Sequence, residues 1–279
     1  KNIAIKEIFK LNEKKNKINI NDLGYLIGPI LNAGGRLGKS SYASELLSSD
    51  NIKVVNNKSN KLIELNNKRK EIENIIINEI NFQKIQNENK DIIIYYNPNI
   101  NEGLIGIIAA RLKDYFNKTS IVITNSNNLL KGSARSVNNY NIGYVVKKCR
   151  DNNLIINGGG HNAAAGFILY KKDLKNFENF IFKDFLNSGY LSSNNFTYQS
   201  EISYLAFNID FYEEIKKLEP FGTGNPVPTF LLKDLKINKP KIVKDKHISL
   251  ILKSKSGFSI KSISFNCLNN KIGEYLLNY

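Results

Sequence analysis

The chain has 279 residues, a formal charge of +15, two cysteines and no methionine. That length supports two or three domains with proper cores, and the positive excess favours a polyanionic partner. Cys149 and Cys267 lie too far apart to give a zinc spacing or a disulfide framework, and no apolar run approaches the length of a membrane span.

Both thiols are expected to be buried and reduced, in a cytoplasmic protein. No signal peptide is visible, and a chain that starts at Lys1 without any Met reads as a segment of a longer protein. Lysine is accompanied throughout by Asn and Ile, as in an A+T-rich genome, so charge alone does not fix the partner.

Residues 1–52 read as helical. Ile3, Ile5, Ile8 and Phe9 form one apolar stripe, and Leu23, Leu26 and Ile27 begin another. Asn32-Ala33-Gly34-Gly35-Arg36-Leu37 reads as a glycine turn ending in a cation, followed by a helix from Ser41 to Ser48. Arg36 is either a solvated charge or, beside a phosphate, a bidentate ligand. Residues 56–82 hold the longest helical pattern: Leu62, Leu65, Ile72, Ile76 and Ile80 recur at three- and four-residue spacing, with Arg69 the only break. With one apolar stripe, this helix is a rigid connecting arm or, alternatively, a short coiled coil.

Residues 90–190 alternate strand and helix, which indicates an α/β domain with a largely buried sheet. Expected strands are 91–96, 120–124, 129–136 and 167–170, and expected helices are 104–116 and 142–150. Ser133 and Arg135 stand two apart at a strand end, so their side chains can share a face. Gly158, Gly159 and Gly160, followed by His161, read as a turn whose bare backbone can lie against an anion. The plainer reading of that triplet is a glycine-rich turn with a surface histidine.

Residues 191–279 carry a helix from Ile209 to Lys217 and the turn-rich Leu218-Glu219-Pro220-Phe221-Gly222-Thr223-Gly224-Asn225-Pro226. Short strands follow at 229–232, 235–237, 247–252 and 259–265, the pattern of a small β-barrel. Lys241, Lys244 and Lys246 with Phe258 suit single-stranded nucleic acid, where phosphates pair and bases stack. An ordinary solvated surface has the same pattern.

Four segments in this order, Leu26–Leu37, Gly132-Ser133-Ala134-Arg135-Ser136, Gly158–His161 and Leu218–Pro226, resemble the RecJ-type single-strand-specific exonucleases of the DHH phosphoesterase superfamily. The resemblance implies four parts: a C-terminal remnant of the DHH catalytic domain (1–52), a connecting helix (53–89), a DHH-associated α/β domain (90–190) and an OB-like nucleic-acid-binding β-barrel that stops early (191–279). It implies metal-dependent 5′→3′ hydrolysis of single-stranded DNA in repair and recombination, with manganese or magnesium as cofactor. A helicase and a single-strand-binding protein are the candidate partners of such an enzyme. The Asp-His-His signature is absent, so no metal ligand is assigned here, and the ligands are expected outside this segment. Arg36, Ser133, Arg135 and Gly158–Gly160 are the expected phosphate ligands and His161 the candidate catalytic residue. A phosphodiesterase of short oligonucleotides or cyclic dinucleotides and a non-catalytic single-strand-binding module are the rival readings.

Overall fold

The computed structural model describes residues 2–13, 18–88, 90–137, 140–189, 197–222, 224–268 and 271–278. The chain divides into two compact units, 1–192 and 193–279. The expected boundary at 190–191 lies outside the described residues.

The first unit opens with α1 (Ile3–Leu11), α2 (Ile20–Asp22), a π-helical turn (Leu23–Ile27), α3 (Gly28–Leu37) and α4 (Ser41–Ser48). The expected glycine turn before Arg36 is instead the body of α3. Gly34 serves packing: a Cβ there would stand 2.8 Å from the Lys39 carbonyl oxygen and 3.2 Å from the side chain of Leu62, so the bare position lets α3 close on the long helix. That helix, α5 (Ile52–Glu79), is capped by the Asn51 side chain, which accepts from the N–H groups of Lys53 and Val54. Nothing in its 28 residues interrupts it.

Helix α5 spans two cores. Val55 and Leu62 pack with Ala4, Ile8, Ile30 and Leu46 in one. Ile76, with Ile80 beyond the helix end, packs with Leu104, Ile108 and Leu112 in the other. Each such fully buried Leu or Ile contributes about 1.5–3 kcal/mol relative to exposure. The stripe read from the sequence is therefore half a helical bundle and half the cover of a sheet.

After α6 (Phe82–Asn87) come β1 (Ile92–Tyr96), α7 (Ile105–Phe116), β2 (Thr119–Ser126), β3 (Leu129–Arg135), α8 (Ile142–Asp151), β4 (Asn157–His161), β5 (Ala164–Leu169) and α9 (Leu174–Asn187). The sheet order is β1-β2-β3-β5-β4. Only the β1–β2 pair is parallel; the others are antiparallel. Helix α7 packs on β2 and β3 from one side, with Ile93 and Val122. Helices α8 and α9 close the opposite side over Ile121, Ala134, Phe167 and Leu169.

The sheet is less covered than expected. On the α7 side, Gly166, Gly159 and His161 are exposed, so β5 and β4 leave a floor of small residues open to solvent. Both cysteines are buried free thiols, as their isolation suggests. Burial, then the charge of Asp184, pushes the Cys149 thiol up to about 12.

The second unit holds β6 (Ser200–Glu201), α10 (Ile209–Lys216), β7 (Phe230–Leu231), β8 (Leu235–Val243), β9 (His247–Ser254), β10 (Ser259–Ser264) and α11 (Lys271–Asn278). Strands β8, β9 and β10 form an antiparallel meander, with a bulge in β8 between Asn238 and Lys241. Among the described residues the sheet stays open rather than closing into a barrel. Ile248, Leu250 and Cys267 make its small core. The Leu218–Pro226 segment is pinned by Asn225, whose amide donates to the carbonyls of Leu218 (2.9 Å) and Pro220 (3.0 Å). Thr223 of that segment lies outside the described residues.

Candidate nucleic-acid interface

Three of the expected phosphate ligands meet at the first turn of α7. Ser133 and Arg135 do share a face of β3, and Arg135 Nη1 donates to Ser133 Oγ (3.1 Å) and to the Ala134 carbonyl (2.8 Å). Arg36, at the end of α3, donates from Nη1 to the Gly103 carbonyl at 2.9 Å. Burial, and then the positive charge of Arg36, pulls the Arg135 guanidinium below its ordinary pKa. Burial, then Arg69, lowers that of Arg36, partly offset by Glu73. Neither Arg36 nor Arg135 has an ion-pair partner among the described residues. The nearby carboxylate of Glu102 is taken by Lys131 at 3.0 Å and Ser126 at 2.8 Å.

Two like charges brought near each other, with no ion-pair partner among the described residues, suit an anion. The sequence reading missed two glycines that build it. A Cβ on Gly103 would stand 2.4 Å from the Arg36 carbonyl oxygen, and one on Gly106 would stand 2.9 Å from Arg135 Nη2. Their absence lets the first turn of α7 lie directly over both arginine-bearing elements. That turn has no side-chain cap, so its leading N–H groups add to the positive field.

The glycine triplet is an edge strand, β4, rather than a turn, and none of the three has a positive φ. Each glycine answers a different demand. A Cβ on Gly160 would stand 2.3 Å from the Ala164 carbonyl oxygen, and one on Gly158 would meet Phe167, Ile155 and Val146 at 2.8–2.9 Å. A Cβ on Gly159 would meet nothing within 4 Å. Fold packing therefore requires Gly158 and Gly160, while Gly159 leaves room for something else. Gly160→Ala should cost about 1–3 kcal/mol by overpacking, whereas Gly159→Ala should melt at the wild-type temperature. Equal losses in thermal denaturation would refute that division.

His161 lies in one cross-strand row with Ala164 and Arg135. Two strand spacings put the backbones of His161 and Arg135 about 10 Å apart. The turn after His161 is held from both sides: Ile142 N–H donates to the Asn162 carbonyl (3.2 Å) and Ser136 N–H to that of Ala163 (2.9 Å).

Arg69, the break in the α5 stripe, has a partner the sequence did not reveal. Its Nη1 lies 2.7 Å from Glu73 Oε2, and Arg111 Nε of α7 lies 2.6 Å from Glu73 Oε1. Glu73 is buried, so one carboxylate ties α5 to α7 beneath the arginine site.

In the second unit the four chosen residues do not come together. Lys241 is exposed on β8, and Lys244 and Lys246 are exposed in the β8–β9 turn. Phe258 sits at the other end of β9, its ring 5.1 Å from that of Tyr204. The aromatic group nearest the lysine end is the His247–Phe265 pair, with Phe265 67% exposed. Alternation along β10 could have pointed to it, since Phe265 follows the strand directly.

Residues 89–187 match the DHHA1 domain family and residues 198–275 the RecJ OB domain family. The "single-stranded-DNA-specific exonuclease RecJ" of Haemophilus influenzae is 30% identical over 277 residues, covering 95% of this chain and 48% of that protein. The chain belongs to the RecJ family. The Bacillus subtilis RecJ is 26% identical over 274 residues, 95% of this chain and 34% of that protein. The chain thus spans about half or less of the length of the RecJ relatives it matches. A crystal structure of RecJ from Thermus thermophilus in complex with Mn2+ shares the fold, with TM-score 0.77 and 20% identity over 94% of this chain and 38% of that one. A complex of the same protein with Mg2+ superposes with TM-score 0.76. Divalent metal use is thus a property of RecJ structures. Among the described residues here, no group of three or more His, Cys, Asp or Glu side chains is placed to hold such an ion, so the residues present do not fit one. Among the same residues, no helix is long and apolar enough to cross a membrane.

Proposed function

We propose that this chain is the phosphate- and strand-binding part of a metal-dependent exonuclease that hydrolyses single-stranded DNA from its 5′ end, in repair and recombination in the cytoplasm. The observation that carries this reading is the pair Arg36 and Arg135, converged with Ser133 where the chain enters α7 and with no ion-paired carboxylate among the described residues. They take the 5′-terminal phosphate. His161, two strand spacings away across an open floor, faces a later phosphate of the same strand, and Gly159 leaves the backbone room to approach. Holding the phosphates around a reacting one is a large part of phosphodiester catalysis. Metal ligands for the reaction lie outside the described residues. A helicase and a single-strand-binding protein remain the partners that the activity calls for.

The RecJ OB domain favours a long-strand grip over a phosphodiesterase of dinucleotides. Lys241, Lys244 and Lys246 supply backbone contacts there, and Phe258 or Phe265 a stacking surface. The test is oligothymidylate binding as a function of salt. Each phosphate neutralised on a single strand contributes roughly −0.7 to the slope of log K against log salt. Three lysines and Arg135 together give a slope near −3 by that rule. Duplex of equal length should bind more weakly, since stacking needs unpaired bases. A salt-insensitive affinity, or equal affinity for duplex, would defeat the reading.

A further inference from the structure

The outer edge of β4 carries a second polar groove, which borders on Gly159 and His161 but whose helix side the reading above leaves unused. It is a cavity of about 360 Å3 between α8 and β4, lined by Asn141, Tyr144, Lys147 and Arg150 of the helix side and by Gly160 and His161 of the strand. Tyr144, Lys147 and Arg150 recur every third residue and so share one face of α8. The opposite face, with Val145, Val146 and Cys149, fills the core. Core packing therefore does not account for the basic row.

Its charges are uncommitted. Lys148 is taken by Asp184 at 2.7 Å and also lies over one face of the Tyr144 ring, 5.0 Å from its centroid, which leaves the other face. Lys147 has no ion-pair partner among the described residues, and Arg150 has only a loose contact with Asp151 at 3.6 Å. No carboxylate lines the cavity.

The strand edge adds donors. Strand β4 ends the sheet, so half of its backbone groups face outward. A two-residue hairpin makes His161 and Ala164 the pair that closes it, and antiparallel alternation then turns the N–H of Gly160 out of the sheet. The Gly158 N–H, of the same parity, does turn away from β5: it donates to Asn157 Oδ1 at 2.8 Å. Gly143 of α8 brings the helix against this edge, since a Cβ there would stand 2.7 Å from the Gly160 carbonyl carbon.

The geometry points to a second subsite for single-stranded nucleic acid on this edge, in which Lys147 and Arg150 pair with phosphates, Gly160 N–H donates to one of them, and the Tyr144 ring takes a base. The inference rests on the single-strand reading above. Charge complementarity chooses the occupant: two uncommitted cations, an outward N–H and an exposed ring suit a polyanion with bases. An acidic peptide adding a strand to β4 is the competing occupant.

The full chain, with Lys147→Gln and Arg150→Gln combined, tests it on fluorescent oligothymidylate. All three groove side chains are exposed, so circular dichroism and melting should match wild type. With this groove occupied the wild-type slope steepens to roughly −4, and the double variant should be shallower by roughly 1.4, two contacts at about 0.7 each in addition to the four counted above. Tyr144→Ala should weaken binding by about fivefold or more, and Tyr144→Phe should keep it. If wild type binds and the double variant keeps its affinity and slope, the groove assignment is wrong and the single-strand reading stands. If wild type itself binds no oligonucleotide, both fall. Unchanged oligonucleotide binding with lost binding of an oligoglutamate peptide would give the edge to a protein strand and overturn the proposal.

Discussion

A 5′-phosphate should raise the affinity of this chain for a short oligothymidylate roughly ten- to hundredfold, and Arg135→Ala should erase that preference. The magnitude follows from the site. A hydrogen bond to a charged group is worth about 1.5–3 kcal/mol, and each 1.4 kcal/mol is a factor of ten. Arg135 is half-buried beside Arg36, with its guanidinium held by Ser133 Oγ and the Ala134 carbonyl. Orientation is therefore already fixed, and little side-chain entropy remains to be lost on binding. Ser133→Ala should cost less, because it removes a neutral donor and one of two tethers on Arg135. His161→Ala separates the two ends of the floor. It should weaken 5′-phosphorylated and 5′-hydroxyl oligonucleotides equally, because His161 faces a phosphate inside the strand. Equal losses from Arg135→Ala on both substrates would remove Arg135 from the 5′ end. A preference lost in His161→Ala would place the terminal phosphate at β4 instead.

What could be read from the sequence follows the physics of each element. The apolar runs of β1 and β2 and the stripe of α5 were legible because burial itself writes those patterns. Ser133 and Arg135 were legible as a pair because strand periodicity alone puts them on one face. Strand β4 was not legible. Three glycines have no strand propensity, and only the close approach of α8 and β5 explains Gly158 and Gly160. The same holds for α3, where Gly34 looks like a turn residue until Leu62 is seen against it. Helix α9 carries a signal of the same kind, since Phe177, Ile181 and Phe185 recur at four-residue spacing and fill the core. The approach of Arg36 to Arg135 depends on α3, the first turn of α7 and β3 converging. No local pattern encodes that, and only the family resemblance joined them.

Removing the Glu73 carboxylate should be the most destabilising single change among the described polar residues. Glu73 is 6% exposed in its side chain and sits between Arg69 at 2.7 Å and Arg111 at 2.6 Å. Arg69 is 11% exposed in its side chain, so Glu73→Ala leaves its cation desolvated, with only the Asn66 oxygen at 3.2 Å as a hydrogen-bond acceptor. Breaking a buried pair from one side costs about 3–5 kcal/mol, far more than the pair itself need contribute. For a unit of this size that corresponds to a melting temperature lower by roughly 10 °C. Arg111 is 61% exposed in its side chain, so Arg111→Ala should cost under about 1 kcal/mol. The asymmetry identifies the cause. Replacing both buried partners, Glu73→Leu with Arg69→Met, should recover most of the loss, because the penalty lies in the orphaned charge rather than in a missing attraction. The site above should report the change too. Glu73 is the negative charge that partly offsets the field on Arg36. Without it the arginine cluster has a stronger demand for an anion, so inorganic phosphate should raise the melting temperature of Glu73→Gln more than that of wild type. A double variant as unstable as Glu73→Ala would show that Glu73 acts through packing. Equal stabilisation of Glu73→Gln and wild type by phosphate would uncouple it from the arginine site.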